Sequence, residues 1–431
     1  MSNQIIKVLL IVEQCNPEGF SVPLEGYNYY KAISEIADVT LVTHGRNEAT
    51  IQKIATDQNV VYMYESALSA KYHSIVENFT SRGRVNWPLY NALTYPIYAE
   101  FNHNVYKKFK SRILKGDYDI VHVITPMMPR YPAKIVKACK NTPFILGPVN
   151  GGVPFPPGFQ EVAKQESAQF NFLRAIGRYL IPGYVETYKK ADKVLAGSTF
   201  TLNMLKDIFK LSDKNIQLFY ENGILKEFLN SQKIANKSEK LNLLFVGRLV
   251  PYKGADMVIE AIGKLEQSIQ NRVAFTIVGD GSEKSSLEKR VQELNLDKIV
   301  KFAGWVPQKD TVEYYSNADV FCFPSIREFG GAVVLEAMAC GLPCIVVNNG
   351  GIGEYVNPKI GFSIEPVSRE YVIKELTDKI RTLVKDEKLR ADMSANSIER
   401  VREFEWGHKA MQIINLYKQM INANSHLSLD N

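Results

Sequence analysis

The stretch Glu328-Phe-Gly-Gly-Ala-Val-Val-Leu-Glu336 places two carboxylates on either side of a glycine turn. It follows the apolar run VFCFP at 320–324, and residues 332–340 are good helix formers. We therefore predict a strand, then a loop that contains Glu328, then a helix that contains Glu336. Glycines at the start of a helix let backbone N–H groups approach an anionic or hydroxyl-rich ligand closely. The stretch predicts one side of a ligand site in an α/β domain.

A second apolar run, at 243–246, ends in Gly247 and is followed by Arg248 and Lys253. It predicts a buried strand whose carboxyl end opens into a loop, where parallel sheets bind their ligands. A guanidinium and an ammonium there can stabilise the negative charge that builds up on a diphosphate leaving group. Alone, the two would more often be surface charges beside a turn. With Glu328 in the same domain, they indicate glycosyl transfer from a nucleotide sugar.

Six motifs occur in a fixed order along the chain. They are GRLVPYKG at 247–254, VGDG at 278–281, ADVFCFPS at 318–325, the stretch 328–336, EAMACGLP at 336–343 and GGIGE at 350–354. Their order and spacing resemble those of the retaining glycosyltransferases of family 4, which have the GT-B fold. The resemblance is tight over 243–361 and loose over nearly the whole chain. It implies two Rossmann-like domains facing across a cleft, with the donor bound mainly by the second domain and the acceptor by the first.

The resemblance implies a role for individual residues of the second domain. Arg248 and Lys253 match the basic pair that holds the donor diphosphate. Glu328 matches the carboxylate that contacts the donor sugar, and Glu336 matches the one that hydrogen-bonds the ribose. The other predicted donor-binding positions lie beside these groups or near the hinge between the domains: Phe329, Gly330, Gly331, Gly247 and Asn222.

The first half of the chain is less explicit. His122 falls in or just after a predicted strand, at a place where family members often carry a histidine near the transferred sugar; the alternative is a hydrogen-bonded core residue. The glycine-rich loop after residue 146 predicts backbone contacts to acceptor or donor through Asn150, Gly151 and Gly152, and the alternative is a rigid turn. Gly26 loosely replaces the Gly-Gly loop that related enzymes have after their first strand.

Repeated short apolar runs alternate with helical segments, which predicts parallel sheets wrapped by helices in each of two domains. We predict a first domain at 1–225, a second at 226–405, and a polar linker at 230–240. By the resemblance, the last helix, at 406–431, returns to the first domain. The predicted strands are 8–12, 39–43, 120–124, 144–146, 194–196, 243–246, 275–278, 320–323 and 344–347.

A metal site is not expected. Asp117-Tyr118-Asp119 has the Asp-x-Asp form, but it precedes a strand instead of following one, and Arg248 and Lys253 already serve the diphosphate. We predict no metal and no cofactor, with the nucleotide sugar acting as a substrate.

Composition is that of an ordinary globular chain, with 431 residues, 45% apolar and 23% charged. The five cysteines show no Cys-x-x-Cys spacing, which predicts reduced thiols in the cytoplasm. The apolar run at 5–12 contains Lys7 and is read as a strand, and no run reaches the length of about 18 apolar residues that a membrane helix needs.

The net charge of +6 falls wholly within residues 1–225, with a basic cluster at 107–115. This predicts peripheral association with an anionic membrane surface, and the alternative is a solvated helix face. Nucleic-acid binding is not indicated, because no recognised module is present.

The sequence thus predicts a retaining glycosyltransferase that moves a hexose from a UDP- or GDP-linked donor. The acceptor would be a hydroxyl of a glycan or lipid-linked molecule, as in the synthesis of cell-surface polysaccharide or glycolipid. Two alternatives stay open: a catalytically silent scaffold that binds nucleotide sugars, and a phosphorylase or epimerase on the same fold.

Overall fold

The computed structural model describes residues 5–54, 59–80, 87–166, 172–230 and 240–429. The chain divides into two compact units. Unit 1 comprises Met1–Gly152, Glu166–Glu221 and Trp406–Asn431, and unit 2 comprises Val153–Gln165 and Asn222–Glu405. Most of the predicted linker, residues 231–239, lies outside the described residues.

The division differs from the predicted boundaries at two places, since residues 222–225 and the segment Val153–Gln165 belong to unit 2 although both were predicted in the first domain. The larger difference is Val153–Gln165. Hydrogen bonds explain this placement. The carbonyl of Val153 accepts from Arg327 Nε at 2.8 Å, and the carbonyl of Pro154 accepts from Asn349 Nδ2 at 3.1 Å. No apolar or glycine pattern in the sequence indicates that this short segment belongs to unit 2.

Unit 1 is built on a seven-stranded parallel sheet with the order β3-β2-β1-β4-β5-β6-β7. Its interior strands are nearly continuous apolar runs because helices cover both faces of such a sheet. The strands are β1 (Lys7–Val12), β2 (Asp38–His44), β3 (Val60–Met63), β4 (Ile120–Thr125), β5 (Phe144–Val149), β6 (Lys193–Ala196) and β7 (Ile216–Leu218).

The helices of unit 1 cover this sheet, and the last of them packs on the first, where the Trp406 ring lies edge-on to Tyr29 with centroids 4.7 Å apart. They are α1 (Val22–Ser34), α2 (Glu48–Gln52), α3 (Ala67–Thr80), α4 (Trp87–Leu93), α5 (Tyr95–Leu114), α7 (Phe172–Leu180), α8 (Tyr184–Lys190), α9 (Thr199–Phe209) and α19 (Trp406–Leu429).

Unit 2 repeats the plan with a six-stranded parallel sheet in the order β10-β9-β8-β11-β12-β13. Two Rossmann-like units therefore confirm the predicted fold class. The strands are β8 (Leu241–Val246), β9 (Val273–Val278), β10 (Val300–Gly304), β11 (Val320–Phe323), β12 (Cys344–Val347) and β13 (Gly361–Ile364).

Short helices connect the strands of unit 2, and two long ones close it. They are α6 (Gln160–Gln165), α10 (Lys226–Leu229), α11 (Ala255–Gly263), α12 (Gln267–Gln270), α13 (Lys284–Glu293), α14 (Thr311–Ser316), α15 (Ala332–Ala339), α16 (Gly351–Tyr355), α17 (Arg369–Lys385) and α18 (Glu387–Val401).

Each sheet has one point where the strand order reverses, between β1 and β4 in unit 1 and between β8 and β11 in unit 2. The loops that leave these two strands run in opposite directions and open a crevice at the carboxyl end of the sheet, where α/β proteins bind ligands. The topology therefore marks one candidate ligand position in each unit.

One observation bears directly on how the protein could associate with a membrane. In the parts of the chain that the structure describes, every helix is too short or too polar to cross a bilayer. The basic cluster lies on α5, where Arg112 Nε donates to Asp117 Oδ2 at 3.0 Å and Lys110 Nζ lies 5.5 Å from the Tyr106 ring centroid. Peripheral association with a membrane stays a prediction.

Candidate functional site

The topology of unit 2 brings together the predicted charged residues. Arg248 follows β8 by two residues, and Glu328 lies in the loop after β11. Because β8 and β11 are neighbours at the reversal of strand order, their loops open at the same crevice. Two segments some eighty residues apart in sequence thus form one site.

Lys253 and Glu328 are in direct contact. Lys253 Nζ donates a hydrogen bond to Glu328 Oε2, and the two side chains are only 12% and 15% exposed. Ser325 Oγ donates to the same oxygen at 3.3 Å. The Phe323 ring lies 4.9 Å from Nζ and shields one side of the ammonium. A ligand that carries a diphosphate and sugar hydroxyls can give each member of this ion pair a new partner.

Arg248 is held on the same loop as Lys253. Its Nη2 donates to the hydroxyl of Tyr252 at 2.8 Å, and Tyr252 belongs to the 3-10 helix Pro251–Lys253. Arg248 itself is exposed. A single loop therefore presents one accessible guanidinium and one half-shielded ammonium, which is a suitable arrangement for gripping an anion.

The backbone beside Glu328 is fixed by two glycines. Gly350 pairs with Glu328 in an isolated parallel bridge at a φ of 95°, and a Cβ on Gly350 would lie 1.9 Å from the Glu328 carbonyl oxygen. The next residue, Gly351, donates its N–H to the carbonyl of Phe329 at 3.0 Å. The ring of Phe329 packs against the guanidinium of Arg327, 5.1 Å away. Glu328 is therefore presented by a rigid turn.

The start of α15 differs from the sequence expectation. We expected its backbone N–H groups to face a ligand, but the side-chain amide of Asn222, with Oδ1 toward the helix, accepts from Gly331 N and Ala332 N at 3.1 Å each. Asn222 thus acts as the N-terminal cap of α15. Gly331 has a φ of 67°, and any side chain there would meet Ile352. Gly330, just before it, is buried.

Glu336 lies inside α15 as predicted and is 4% exposed. Its Oε1 accepts from Gln308 Nε2 at 2.6 Å, and its Oε2 accepts from the Tyr315 hydroxyl at 2.9 Å. Burial raises the pKa of this carboxyl, and the hydrogen bonds from Gln308 and Tyr315 offset part of that rise. The predicted ribose contact of Glu336 stays a prediction.

The backbone of Gly247 takes part in the hydrogen bonding of the sheet. Its N–H donates to the carbonyl of Val278 at 3.0 Å, and its own carbonyl oxygen would lie 1.9 Å from a Cβ on Gly279. Close contact between the two strand ends therefore accounts for Gly279, whereas a Cβ on Gly247 would come closest to Phe323, at 3.2 Å. The predicted donor contact of Gly247 stays a prediction.

In unit 1, His122 is a core residue, which was the alternative to its predicted catalytic role. It lies in β4 and is fully buried. Both ring nitrogens are hydrogen-bonded, Nδ1 with the Tyr417 hydroxyl at 2.6 Å and Nε2 with the Gly147 carbonyl at 2.7 Å. Burial lowers the pKa of His122 to about 4. A neutral imidazole that donates from Nε2 and accepts at Nδ1 fits both partners.

The loop after β5 is likewise anchored inside unit 1. The side chain of Asn150 is 1% exposed, and its Oδ1 accepts from Ser198 Oγ at 3.0 Å and from Thr201 Oγ1 at 2.8 Å. The N–H of Gly151 donates to Thr201 Oγ1 at 3.1 Å, and a Cβ on Gly152 would lie 2.4 Å from Met204 Sδ. These contacts favour the rigid-turn alternative over a ligand-wrapping loop.

Gly26 is not in a loop, contrary to expectation. It lies buried in α1, and a Cβ there would come within 2.2 Å of the Gln14 carbonyl oxygen and 2.8 Å of Val12 Cγ1. The physical reason for the glycine is the close packing of α1 against the end of β1. A donor contact from this position is not needed to explain it.

The Asp-x-Asp triplet is structural. Asp119 Oδ2 accepts from the N–H of Lys7 at 2.8 Å, while Asp117 pairs with Arg112. Within the described ranges, no three His, Cys, Asp or Glu side chains are grouped so that they could hold a metal ion.

Sequence reasoning missed four partners of the predicted groups: Tyr252, Gln308, Tyr315 and Ser325. Tyr252 and Ser325 lie within the quoted motifs, so their proximity to Arg248 and Glu328 could have been inferred from the loop assignments. No local signal indicates Gln308 and Tyr315, because they reach Glu336 from another helix and its preceding turn.

The part of the chain that contains β8 and β11 is similar in sequence to a known family. Residues 227–400 match the family of glycosyl transferases group 1. The matched segment contains Arg248, Lys253, Glu328 and Glu336. The group 1 match therefore covers most of unit 2, whereas the resemblance to the retaining family 4 is a finer assignment.

Curated relatives share only part of their length with this chain. An uncharacterized glycosyltransferase of Methanocaldococcus jannaschii is 29% identical over 57% of this chain and 63% of its own length. The D-inositol 3-phosphate glycosyltransferase of Corynebacterium efficiens is 30% identical over 42% of this chain and 43% of its own. The chain thus spans less than two thirds of the length of either relative.

Solved structures extend the likeness to both units. HepE of Anabaena, solved in complex with UDP, superposes with a TM-score of 0.64 over 96% of this chain and 100% of its own, at 17% identity. The same protein has been solved with UDP-glucose. At this identity the likeness shows the fold, which is GT-B.

Proposed function

We propose that the protein is a retaining glycosyltransferase that uses a UDP- or GDP-linked sugar and a hydroxyl of a glycan or lipid-linked acceptor. Unit 2 binds the nucleotide sugar. Arg248 and Lys253 grip the diphosphate, and Glu328 accepts hydrogen bonds from the sugar hydroxyls. Sugar transfer of this kind belongs to the synthesis of cell-surface polysaccharide or glycolipid.

One observation carries the proposal: the contact between Lys253 and Glu328 at the carboxyl ends of β8 and β11. As the sugar–phosphate bond breaks, negative charge grows on the phosphate and positive charge grows on the anomeric carbon. An ammonium and a carboxylate held at one site match that separation of charge, and the substrate replaces their contact with each other. The likeness to HepE, whose structures contain UDP or UDP-glucose, supports a uridine nucleotide as the first donor to try.

The test is release of nucleotide from a panel of UDP- and GDP-sugars, with and without candidate acceptors. We expect slow release of UDP or GDP from one donor in the absence of acceptor, because water can replace the acceptor hydroxyl. Tight donor binding without any turnover would favour the silent scaffold. Release of a sugar phosphate when inorganic phosphate is added would favour a phosphorylase.

Metal removal gives a separate prediction. Two protein cations are assigned to the diphosphate, so a divalent ion has no necessary part in neutralising the leaving group. We expect nucleotide release to be unchanged by EDTA and by added Mg²⁺ or Mn²⁺. Loss of activity with EDTA that Mg²⁺ restores would contradict the assignment of Arg248 and Lys253.

The stereochemistry of the product tests the retaining mechanism. Inversion needs a general base opposite the leaving group. Glu328 contacts Lys253, the residue that we assign to the leaving phosphate, so we do not assign Glu328 the role of that base. In the proposed route the departing phosphate takes the proton of the acceptor hydroxyl on its own face. We expect an α-linked donor to give an α-linked product, read from the anomeric proton by NMR. A β-linked product would overturn the retaining mechanism.

A further inference from the structure

Unit 1 contains a cavity at the reversal of its strand order. The cavity has a volume of about 120 Å³ and is lined by residues of unit 1. Its lining includes Glu13, the first residue after β1, and residues of the loop at 126–131, which follows β4. Because β1 and β4 are the neighbours between which the order reverses, this is the ligand position that the topology of unit 1 predicts.

Glu13 is the unusual group of this cavity. Its backbone is fixed, because its carbonyl oxygen accepts from Asn47 Nδ2 at 2.8 Å. Its carboxylate is half-buried and accepts no hydrogen bond from a described residue. Burial raises the pKa of Glu13 to about 7, and the nearby charge of Arg46 only partly opposes that rise. A carboxylate in a cavity that receives no hydrogen bond from the described residues lowers the stability of the folded state unless a ligand supplies donors.

The other charged or titratable groups that line the cavity besides the tyrosines are Arg46, His73 and Arg130. Arg46 donates from Nε and Nη2 to the two oxygens of Glu65 at 3.1 and 2.5 Å. Burial and the charge of Arg46 lower the pKa of His73, the second basic group on this side. Arg130, in the loop after β4, stays a cation at any moderate pH.

Three tyrosines complete the wall. Burial is the main cause that raises the pKa of Tyr90, Tyr98 and Tyr131, and the charge of Glu13 contributes to each rise. Their phenols therefore stay neutral near pH 7. The rings of Tyr98 and Tyr131 are stacked with centroids 4.7 Å apart. A rigid aromatic wall beside an acceptor of hydrogen bonds is typical of a site for a sugar ring.

We propose that this cavity binds a sugar unit of the acceptor and that Glu13 is its positioning residue, accepting hydrogen bonds from two adjacent hydroxyls. The proposal deepens the proposed function and rests on it. Two neighbouring hydroxyl donors match the two oxygens of one ionised carboxylate. They supply the hydrogen bonds that the described residues do not give to this side chain.

The proposal predicts a specific pH dependence. Hydroxyl donors stabilise the ionised form, so sugar binding lowers the pKa of Glu13, and acid weakens binding by protonating it. With a free-state pKa of about 7, the apparent affinity for the sugar should fall about tenfold between about pH 8 and about pH 6.

The test measures sugar binding directly by saturation-transfer NMR on the full chain. The probes are methyl α-D-mannopyranoside, whose ring carries a cis diol, and methyl α-D-glucopyranoside, whose adjacent hydroxyls are all trans. We expect at least one probe to bind the wild type and to bind more weakly at the lower pH. Glu13→Gln should lose most of that binding and all of its pH dependence. The matched control is Glu18→Gln, an exposed residue of the same loop.

Stability separates this role from a structural one. Because the folded pKa of Glu13 is raised, its ionisation destabilises the fold progressively as pH rises from about 4.5 to about 7. Glu13→Gln should therefore raise the melting temperature by a few degrees at about pH 8 and have little effect at about pH 4. A folded Glu13→Gln variant that binds the probes like the wild type would overturn the proposal, and so would failure of both probes to bind the wild type.

Donor turnover is read from the same wild-type sample. Sugar binding without nucleotide release from any donor would count against the proposed function and leave the cavity assignment standing. Nucleotide release without sugar binding would count against the cavity assignment alone.

Discussion

Replacing Lys253 by methionine should lower kcat/KM for the donor by on the order of 100-fold to 1000-fold. Methionine keeps most of the length of the side chain and removes its charge. In the proposed site the ammonium neutralises a phosphate whose charge grows as the sugar leaves, so the loss should fall mainly on kcat. The measurement is initial rate of nucleotide release over a range of donor concentrations.

Lys264→Met is the matched control for this change. Lys264 is an exposed residue just after α11, the helix that follows Lys253 by a single glycine. Its replacement should leave kcat/KM within about twofold of the wild type, because surface substitutions away from specific contacts have small effects. Lys253→Arg, which retains the charge in another shape, should recover part of the lost rate. Near-normal turnover by Lys253→Met would contradict the proposed role of Lys253 in binding the diphosphate.

The interior strands of both sheets were predictable, and the edge strands were not. Runs such as 8–12 and 320–323 are apolar throughout because helices cover both faces of the strand. The four strands that the sequence did not indicate, β3, β7, β10 and β13, are the outermost strands of the two sheets. Edge strands here are short or mixed in polarity, for example the half-buried VVYM of β3 and the three-residue β7. Apolar runs therefore identify the interior strands of each sheet but not its edge strands.

The charged groups of unit 2 were predictable because each lies in a loop directly after an interior strand. Once β8 and β11 are recognised, the rule for parallel sheets places Arg248, Lys253 and Glu328 at one edge. The side-chain partners were not predictable in the same way. Asn222 reaches the start of α15 from more than a hundred residues away in sequence, and only the folded chain shows that it caps this helix.

The glycines and the histidine of unit 1 show that a residue at a motif position can have a structural explanation instead of a ligand contact. Gly26, Gly151 and His122 stand at positions that a motif search associates with ligands, yet in this chain close packing or core hydrogen bonds account for each. Glu13, by contrast, carries no motif. Only its position after β1, at the reversal of strand order, points to Glu13. That position can be recognised only when the strand order is known.

Replacing Glu328 by glutamine should lower kcat on the order of 100-fold while changing the donor KM much less. Glutamine keeps the shape and one hydrogen-bond acceptor but removes the negative charge that stabilises the developing positive charge on the sugar. Glu387→Gln, an exposed position at the start of α18, is the control and should behave as the wild type. Kinetics on matched, folded samples measure the effect.

The double variant Lys253→Met, Glu328→Gln decides whether the ion pair serves the substrate or only the fold. Each single change leaves a poorly exposed charge without its partner, which should lower the melting temperature, and the double change removes both charges and should restore part of that loss. Activity should behave differently from stability. If each group acts on the substrate, the double variant is at least as slow as the slower single variant. Recovery of turnover together with stability in the double variant would mean that the pair is structural, and the catalytic assignment of both residues would fall.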